Sequence, residues 1–165
     1  MVALEVLDKD WMEDAVREGP MGLRVLVADD SVFIRDIIRH HLERLGFRVV
    51  AEAANAAQAL ALFKTLKPDL VTLDIIMPQV DGIDSLAAFR GIKREDPDVP
   101  VLIVSAVPFD TSRDAFMNEG ALDYVIKPFS RSSFERIRRK LGAIYPEVAA
   151  IPRVGERENR MRRSQ

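Results

Sequence analysis

The sequence predicts an α/β fold in which a parallel β-sheet is covered by helices on both faces. The first observation is that short apolar segments alternate five times with longer segments of helical period. The second is that an apolar segment such as LRVLVA (23–28) is almost continuously hydrophobic, as in a strand buried on both faces. The third is that there are only five such strand–helix units, joined by short loops. A barrel needs eight units, so the pattern suits a compact open sheet better.

The predicted elements follow one another in regular order. The strands cover residues 23–28, 47–53, 70–74, 99–105 and 122–127, and the helices cover about 34–45, 56–66, 84–94, 111–119 and 130–141. Gly46 closes the first helix, Asn55 caps the second, and Pro68 prevents the second from continuing far.

Two charged segments flank this pattern, so the predicted domain spans residues 21–145. Residues 1–20 hold six acidic and two basic side chains, and their apolar residues fall at helical spacing. We expect them to form an acidic helical extension. The alternating pattern stops at Pro146, and residues 151–165 hold five arginines and two glutamates. We expect residues 146–165 to form a basic, disordered tail.

The composition argues against several classes of function. The 24 basic and 26 acidic side chains give a formal net charge of -2, so there is no bulk attraction to nucleic acid or to anionic membranes. Cysteine is absent, so neither a disulfide nor a thiolate metal site can form. The sequence shows no signal peptide and no apolar run of about 18 to 20 residues. We expect a cytoplasmic protein with no membrane insertion and no nucleic-acid partner.

Polar side chains stand at the carboxyl ends of four predicted strands. Asp29 and Asp30 follow the first strand, Asp74 ends the third, Ser105 ends the fourth and Lys127 ends the fifth. Because ligands of open parallel sheets bind beyond these strand ends, we expect the five side chains to converge on one crevice. Three clustered carboxylates repel one another unless a cation binds them, and a donor set made only of oxygen suits Mg²⁺. With a lysine and a hydroxyl for phosphate oxygens, the set predicts a phosphoryl-transfer site.

Each of these signals has an ordinary alternative. An Asp-Asp pair after a strand is usually a solvated turn, and Lys-Pro is a common loop dipeptide. Asp74 is less easily explained in this way, because a carboxylate inside the apolar run LVTLDIIMP is costly unless it is paired or bound. The occurrence of the whole set, in order and at the strand ends, favours the functional interpretation.

Four segments resemble the signature segments of bacterial response-regulator receiver domains, in particular those of chemotaxis regulators: VLVADDS, LVTLDIIMPQVDG, VLIVSA and GALDYVIKPF. The resemblance covers about residues 23–142. It implies a flavodoxin-like, doubly wound sheet with strand order 2-1-3-4-5. It also implies a single-domain response regulator of two-component signal transduction. Such a protein accepts a phosphoryl group from a histidine kinase or phosphotransfer protein and changes its affinity for an output partner.

The resemblance further implies the acceptor and the metal ligands. Asp74 would accept the phosphoryl group. Asp30 would bind Mg²⁺ directly and Asp29 through water, together with Asp74 and the backbone carbonyl of Ile76. Gly82 suits the tight loop that follows the acceptor.

The same resemblance implies a switch. Lys127, joined to Pro128 by a cis peptide bond, would pair with the phosphoryl group. Ser105 would move onto that group, and the ring of Tyr124 would then turn inward. Output partners would read the resulting change on the strand-five face around Tyr124.

Two apolar residues are predicted to set the lifetime of the acyl phosphate. Ile76 lies two residues beyond the acceptor and Val107 two residues beyond Ser105, so both should border the in-line approach of water. Neither side chain can orient a water molecule, and we therefore expect slow self-dephosphorylation. The alternative is that both merely pack against neighbouring loops.

Three other functions are alternatives to that of a single-domain response regulator. An aspartyl-phosphate phosphatase of the haloacid-dehalogenase type needs a second Asp two residues beyond the nucleophile, where this chain has Ile76. An FMN binder needs a Ser/Thr/Gly-rich loop after the first strand, where this chain has the acidic segment ADDSVFIR. The third is the detached receiver half of a larger regulator such as a chemotaxis methylesterase. We expect the chain to promote its own phosphorylation and dephosphorylation without turnover of a separate substrate.

Overall fold

Five strands form one parallel sheet in the computed structural model, which describes residues 23–108 and 111–151. The predicted acidic helix at 1–20 and the tail segment 152–165 lie outside the described residues. The strands are β1 (Arg24–Ala28), β2 (Arg48–Ala53), β3 (Leu70–Leu73), β4 (Val101–Ser105) and β5 (Asp123–Ile126). Their order is β2-β1-β3-β4-β5, which confirms the predicted fold class and strand order.

The helices connect these strands. They are α1 (Val32–Glu43), α2 (Ala56–Leu66), α3 (Ser85–Glu95), α4 (Thr111–Asn118), α5 (Arg131–Ile144) and α6 (Pro146–Ala149). Four of them begin with a side chain that accepts a hydrogen bond from the third helical N–H: Ser31, Asn55, Asp84 and Ser130. Within the described ranges, no helix combines the length and the apolar character needed to cross a membrane.

The sheet has a hydrophobic core on each face. Successive residues of β1 point to opposite faces, so Val25 and Val27 belong to one core and Leu26 and Ala28 to the other. Helices α1 and α5 supply buried side chains to the first core, and α2, α3 and α4 supply them to the second. Because β3 and β4 are buried along their whole length, they appear in the sequence as mainly apolar runs, in which Thr72 and Ser105 are the polar residues.

The loop after β3 turns back over residues 80–83. The N–H of Ile83 donates to the carbonyl of Val80 at 3.0 Å, and both central residues, Asp81 and Gly82, have positive φ angles of 54° and 71°. Positive φ at both central positions is typical of a type I′ turn, in which glycine is favoured because it has no Cβ. The predicted tight loop at Gly82 is present.

The C-terminal end of the described chain differs from the predicted tail. Helix α5 continues to Ile144, and α6 then packs against the domain with Val148 fully buried in the core that contains Leu23. The hydroxyl of Tyr145 donates to the carbonyl of Asp69 at 2.6 Å. Pro146 cannot continue α5, but its fixed φ suits the first turn of a new helix. The described structure therefore runs past the predicted boundary at residue 145.

Candidate functional site

Three carboxylates meet at the carboxyl end of the sheet. One oxygen from each of Asp29, Asp30 and Asp74 lies within 4.8 Å of the other two. Asp29 follows β1 and is fully buried, Asp74 follows β3 and is 4% exposed, and Asp30 is exposed to solvent. This cluster of hard oxygen donors, open on one side, fits a cation such as Mg²⁺, which usually keeps several of its waters.

Lys127 lies between two of these acids. Its Nζ donates to Oδ2 of Asp29 and, at 3.0 Å, to Oδ2 of Asp74. The backbone N–H of Lys127 donates to the carbonyl of Ser105, which ties the end of β5 to the end of β4, and the Lys127–Pro128 peptide bond is cis as predicted. One ammonium against three carboxylates leaves two negative charges uncompensated within the cluster.

Asp74 is held at both its backbone and its side chain. Its N–H donates to the carbonyl of Ala28 at 2.9 Å, and its carbonyl accepts from the hydroxyl of Ser85 at 2.7 Å. Its Oδ1 accepts from the N–H of Ile76 at 3.2 Å. The carboxylate therefore has a fixed position, which a nucleophile needs.

Burial and charge act in opposite directions at this pair of residues. Burial raises the pKa of Asp74, and the hydrogen bond and charge of Lys127 oppose that rise without cancelling it. Burial lowers the pKa of Lys127, but the hydrogen bonds and the negative charges of Asp29 and Asp74 together outweigh it, so the pKa of Lys127 is raised overall. The lysine therefore remains a cation, as the binding of phosphate oxygens requires.

A chain of hydrogen bonds connects the predicted switch residues. The N–H of Val107 donates to Oγ of Ser105 at 3.2 Å, and the hydroxyl of Tyr124 donates to the carbonyl of Val107 at 2.8 Å. Ser105 is fully buried, and the ring of Tyr124 is almost so. The two polar backbone groups of Val107 thus link the end of β4 to the aromatic side chain on β5.

The two residues predicted to set the lifetime lie in different surroundings. Ile76 is 60% exposed although it is apolar and two residues from Asp74, whereas Val107 is half-buried. The exposure of Ile76 shows that it does not serve to fill the core.

The sequence analysis missed two residues that contact the site. The hydroxyl of Ser85 holds the carbonyl of Asp74, and Nη1 of Arg35 donates to the carbonyl of Asp29 at 2.6 Å. Both residues stand on helices rather than at strand ends, so the rule that found the acids and the lysine does not find them.

Comparisons with known proteins agree with this geometry. The family described as "Response regulator receiver domain" matches residues 25–138. The chain is 38% identical over 112 residues to the chemotaxis protein CheY of Thermotoga maritima, and the match covers 68% of this chain and 91% of that protein. It is 41% identical over 126 residues to a protein-glutamate methylesterase/protein-glutamine glutaminase of Alkalilimnicola ehrlichii, covering 73% of this chain and 31% of that protein.

A solved structure shows the same fold. A chain of the CheX-CheY-BeF3-Mg²⁺ complex from Borrelia burgdorferi superposes with a TM-score of 0.64 at 25% identity. The superposition covers 74% of this chain and 89% of that chain.

Proposed function

The chain belongs to the response regulator receiver domain family, and from that premise we propose that it accepts a phosphoryl group on Asp74 and thereby switches its affinity for an output partner. The observation that carries the proposal is the cluster of three carboxylates, two of them paired with Lys127, with Asp74 at the end of the central strand. The donor is a phosphohistidine of a histidine kinase or of a phosphotransfer protein.

The proposed step is the transfer of the phosphoryl group from nitrogen to oxygen. An oxygen of the Asp74 carboxylate attacks phosphorus, a P–O bond forms, the P–N bond of the phosphohistidine breaks, and the imidazole leaves. The N–H of Ile76 holds one carboxylate oxygen in place. Lys127, already paired with the other oxygen, is placed to neutralise charge on the transferred group.

The acids Asp29, Asp30 and Asp74 are the residues that would hold Mg²⁺. We propose Asp30 as the direct ligand, Asp29 as a ligand through water, and the carbonyl of Ile76 as a further protein oxygen. When bound, the cation offsets the charge of the phosphate oxygens and of the clustered acids.

The proposed switch uses the link through Val107. When the hydroxyl of Ser105 moves onto the phosphoryl group, it releases the N–H of Val107. Val107, whose carbonyl accepts from the Tyr124 hydroxyl, is then free to move. The face of β5 around Tyr124 then changes for a partner. Tyr124 is already buried here, so we propose a change in its contacts rather than a move from solvent into the protein.

Exposed apolar side chains around the acids support a protein as phosphodonor. Val32 and Phe33, at the start of α1 just after Asp30, are 62% and 69% exposed, and Ile76 beyond the acceptor is 60% exposed. Large apolar side chains at the rim of a charged site are typical of a surface that a protein partner covers.

A second candidate is the receiver part of a larger regulator such as a chemotaxis methylesterase. The methylesterase relative favours it, because this chain matches only 31% of that protein's length. Sequencing the gene and its transcript tests it, since a methylesterase domain encoded downstream in the same frame would support this candidate.

For the described domain we propose no turnover of a separate substrate. At the position where a phosphatase of the haloacid-dehalogenase type needs its second acid, the chain has Ile76.

The test is incubation with acetyl phosphate and Mg²⁺ followed by intact mass spectrometry. We expect one added phosphoryl group on the wild-type chain and none on Asp74→Asn or in excess chelator. Asp81→Asn is the matched control, because Asp81 is an exposed acid of the same loop whose positive φ asparagine tolerates. Equal labelling of Asp74→Asn and wild type would refute the proposal.

A further inference from the structure

Asp29 is held at every polar atom, whereas its neighbour Asp30 is not. The N–H of Asp29 donates to the carbonyl of Ala53 at 3.0 Å, Oδ1 accepts from the N–H of Ser31 at 2.9 Å, and Oδ2 accepts from Lys127. Its carbonyl accepts from Arg35. The carboxylate of Asp30 has no hydrogen-bond partner in the part of the chain that the structure describes, so its position depends on the backbone that carries it.

Arg35 connects that backbone to β2. Its Nη1 donates to the carbonyl of Asp29 at 2.6 Å, and its Nε donates to Oε2 of Glu52 at 3.2 Å. The side chain is only 12% exposed, and Glu52 also pairs with Arg39 from the next turn of α1. The guanidinium is therefore fixed on one side by Glu52 and fixes the Asp29 carbonyl on the other.

We propose that Arg35 is a positioning residue for the metal site. The carbonyl that it holds belongs to the peptide that joins Asp29 to Asp30. By fixing the plane of that peptide, Arg35 fixes the direction in which the otherwise unanchored Asp30 carboxylate points. The inference rests on the proposed function, because it assumes that Mg²⁺ binds to these acids.

Arg39 provides a matched comparison. It carries the same charge, stands on the same helix and pairs with the same Glu52, but only Arg35 is seen to donate to Asp29. Replacement of either arginine by methionine keeps a long apolar stem and removes every donor. A difference between the two variants therefore reports the contact with Asp29 and not the loss of a charge or of a Glu52 ion pair.

The test is a Mg²⁺ titration of the full chain followed by amide NMR shifts. Loss of a group that orients a metal ligand typically weakens metal binding by 10–100-fold, so we expect a Kd about tenfold higher for Arg35→Met and within about twofold of wild type for Arg39→Met. Asp30→Ala is the positive control for loss of a ligand. Equal Kd values for Arg35→Met and wild type, or equal weakening in both arginine variants, would overturn the inference.

The rate of phosphorylation by acetyl phosphate gives a second readout, which distinguishes weaker Mg²⁺ binding from damage to the fold. At limiting Mg²⁺ the initial rate for Arg35→Met should fall, and at saturating Mg²⁺ it should return to that of Arg39→Met. A rate that saturating Mg²⁺ does not restore would overturn the positioning role.

Two further outcomes keep the test decisive. If Arg35→Met does not fold, Arg35→Lys takes its place, because one ammonium cannot hold the Asp29 carbonyl and Glu52 in the fork of a guanidinium. We expect it to bind Mg²⁺ more weakly than Arg39→Lys, and equal binding would overturn the inference.

Absence of Mg²⁺ binding by the wild-type chain would overturn the proposed function and this inference together. Wild-type binding with an unaffected Arg35 variant would overturn the inference alone.

Discussion

Burial and a neighbouring lysine have opposite effects on the carboxyl group of Asp74. Its carboxylate lies at the end of a fully buried strand, where burial alone favours the protonated form. Lys127 opposes that effect from 3.0 Å, but the pKa of Asp74 remains raised. Binding of a cation to the ionised acid should therefore compete with protonation and weaken as the pH falls.

The first prediction concerns the lifetime of the acyl phosphate and two side chains that we expect to influence it. The change is the double substitution Ile76→Asn and Val107→Glu, and the measurement is the decay of purified phosphoprotein after removal of the phosphodonor. Polar groups at these positions can hydrogen-bond an attacking water, so we expect decay several-fold faster than in wild type.

The control for that prediction is Val80→Asn. Val80 is an apolar, solvent-exposed residue of the same loop, and it lies further from Asp74 in sequence than Ile76 does. Decay in the double variant no faster than in wild type would remove the basis for the lifetime assignment.

At the residue scale, the sequence predicts the side chains that stand at strand ends. Asp29, Asp30, Asp74 and Lys127 follow from the rule that parallel strands end at one edge, and the structure brings them together. Arg35 does not follow from that rule, because its importance depends on contacts with two other elements that sequence spacing does not encode.

At the scale of elements, β4 and β5 are linked through the two polar backbone groups of one residue, Val107. The prediction is that Ser105→Ala still binds Mg²⁺ with the phosphoryl mimic beryllofluoride but no longer transmits the change to Tyr124. The reason is that Oγ of Ser105 is the acceptor for the N–H of Val107, whose carbonyl holds the Tyr124 hydroxyl. Ser105→Thr keeps the hydroxyl and should transmit as wild type does.

Fluorine NMR of fluorotyrosine-labelled protein measures this coupling. The chain has two tyrosines, and Tyr145 serves as internal reference because its hydroxyl is bound to Asp69, just before the amino end of the central strand β3. In wild type the mimic should shift the Tyr124 signal only. A shift in Ser105→Ala as large as in wild type would show that Ser105 does not mediate the coupling.

Helix α6 allows a prediction about stability. Val148 belongs to this helix and is fully buried, so Val148→Ala should lower the free energy of unfolding by about 2 kcal/mol through lost burial and the cavity left behind. Val32→Ala removes the same atoms from an exposed side chain and should cost less than about 0.5 kcal/mol. Urea unfolding of both variants provides the measurement, and equal losses would mean that α6 does not pack as described.

The predicted strands lie within two residues of the observed ones at each end, because buried parallel strands leave an apolar run in the sequence.

The ends of the helices were predicted less well. The start of α1 was predicted at Ile34 rather than Val32, since Val32 and Phe33 are exposed and stand outside the helical period of the buried face. Leu45 fits that period and is buried, yet it lies in the turn after the helix. Helix α6 was missed because a single turn is stabilised by its tertiary contacts and not by its own sequence.

At the scale of the whole molecule, the two ends of the sheet carry different kinds of residue, charged at one end and apolar at the other. The acids and Lys127 lie beyond the carboxyl ends of the strands, whereas Leu23, just before β1, shares a core with Val148. The packing of α6 thus lies at the end of the sheet opposite to the acids. The presence of helices on both faces was predicted from the sequence, whereas their assignment to one face or the other and the packing of the C-terminal turn required the three-dimensional structure.

The most direct test of the central claim is chemical mapping of the phosphorylated residue. Wild-type protein is phosphorylated with acetyl phosphate and Mg²⁺, reduced with borohydride, which converts an acyl-phosphorylated aspartate to homoserine, and digested with trypsin. We expect homoserine at Asp74 within the peptide of residues 65–90, which also carries Asp69, Asp81 and Asp84 as internal controls. Homoserine at one of those three residues, or a phosphorylated chain with Asp74 unchanged, would contradict the account.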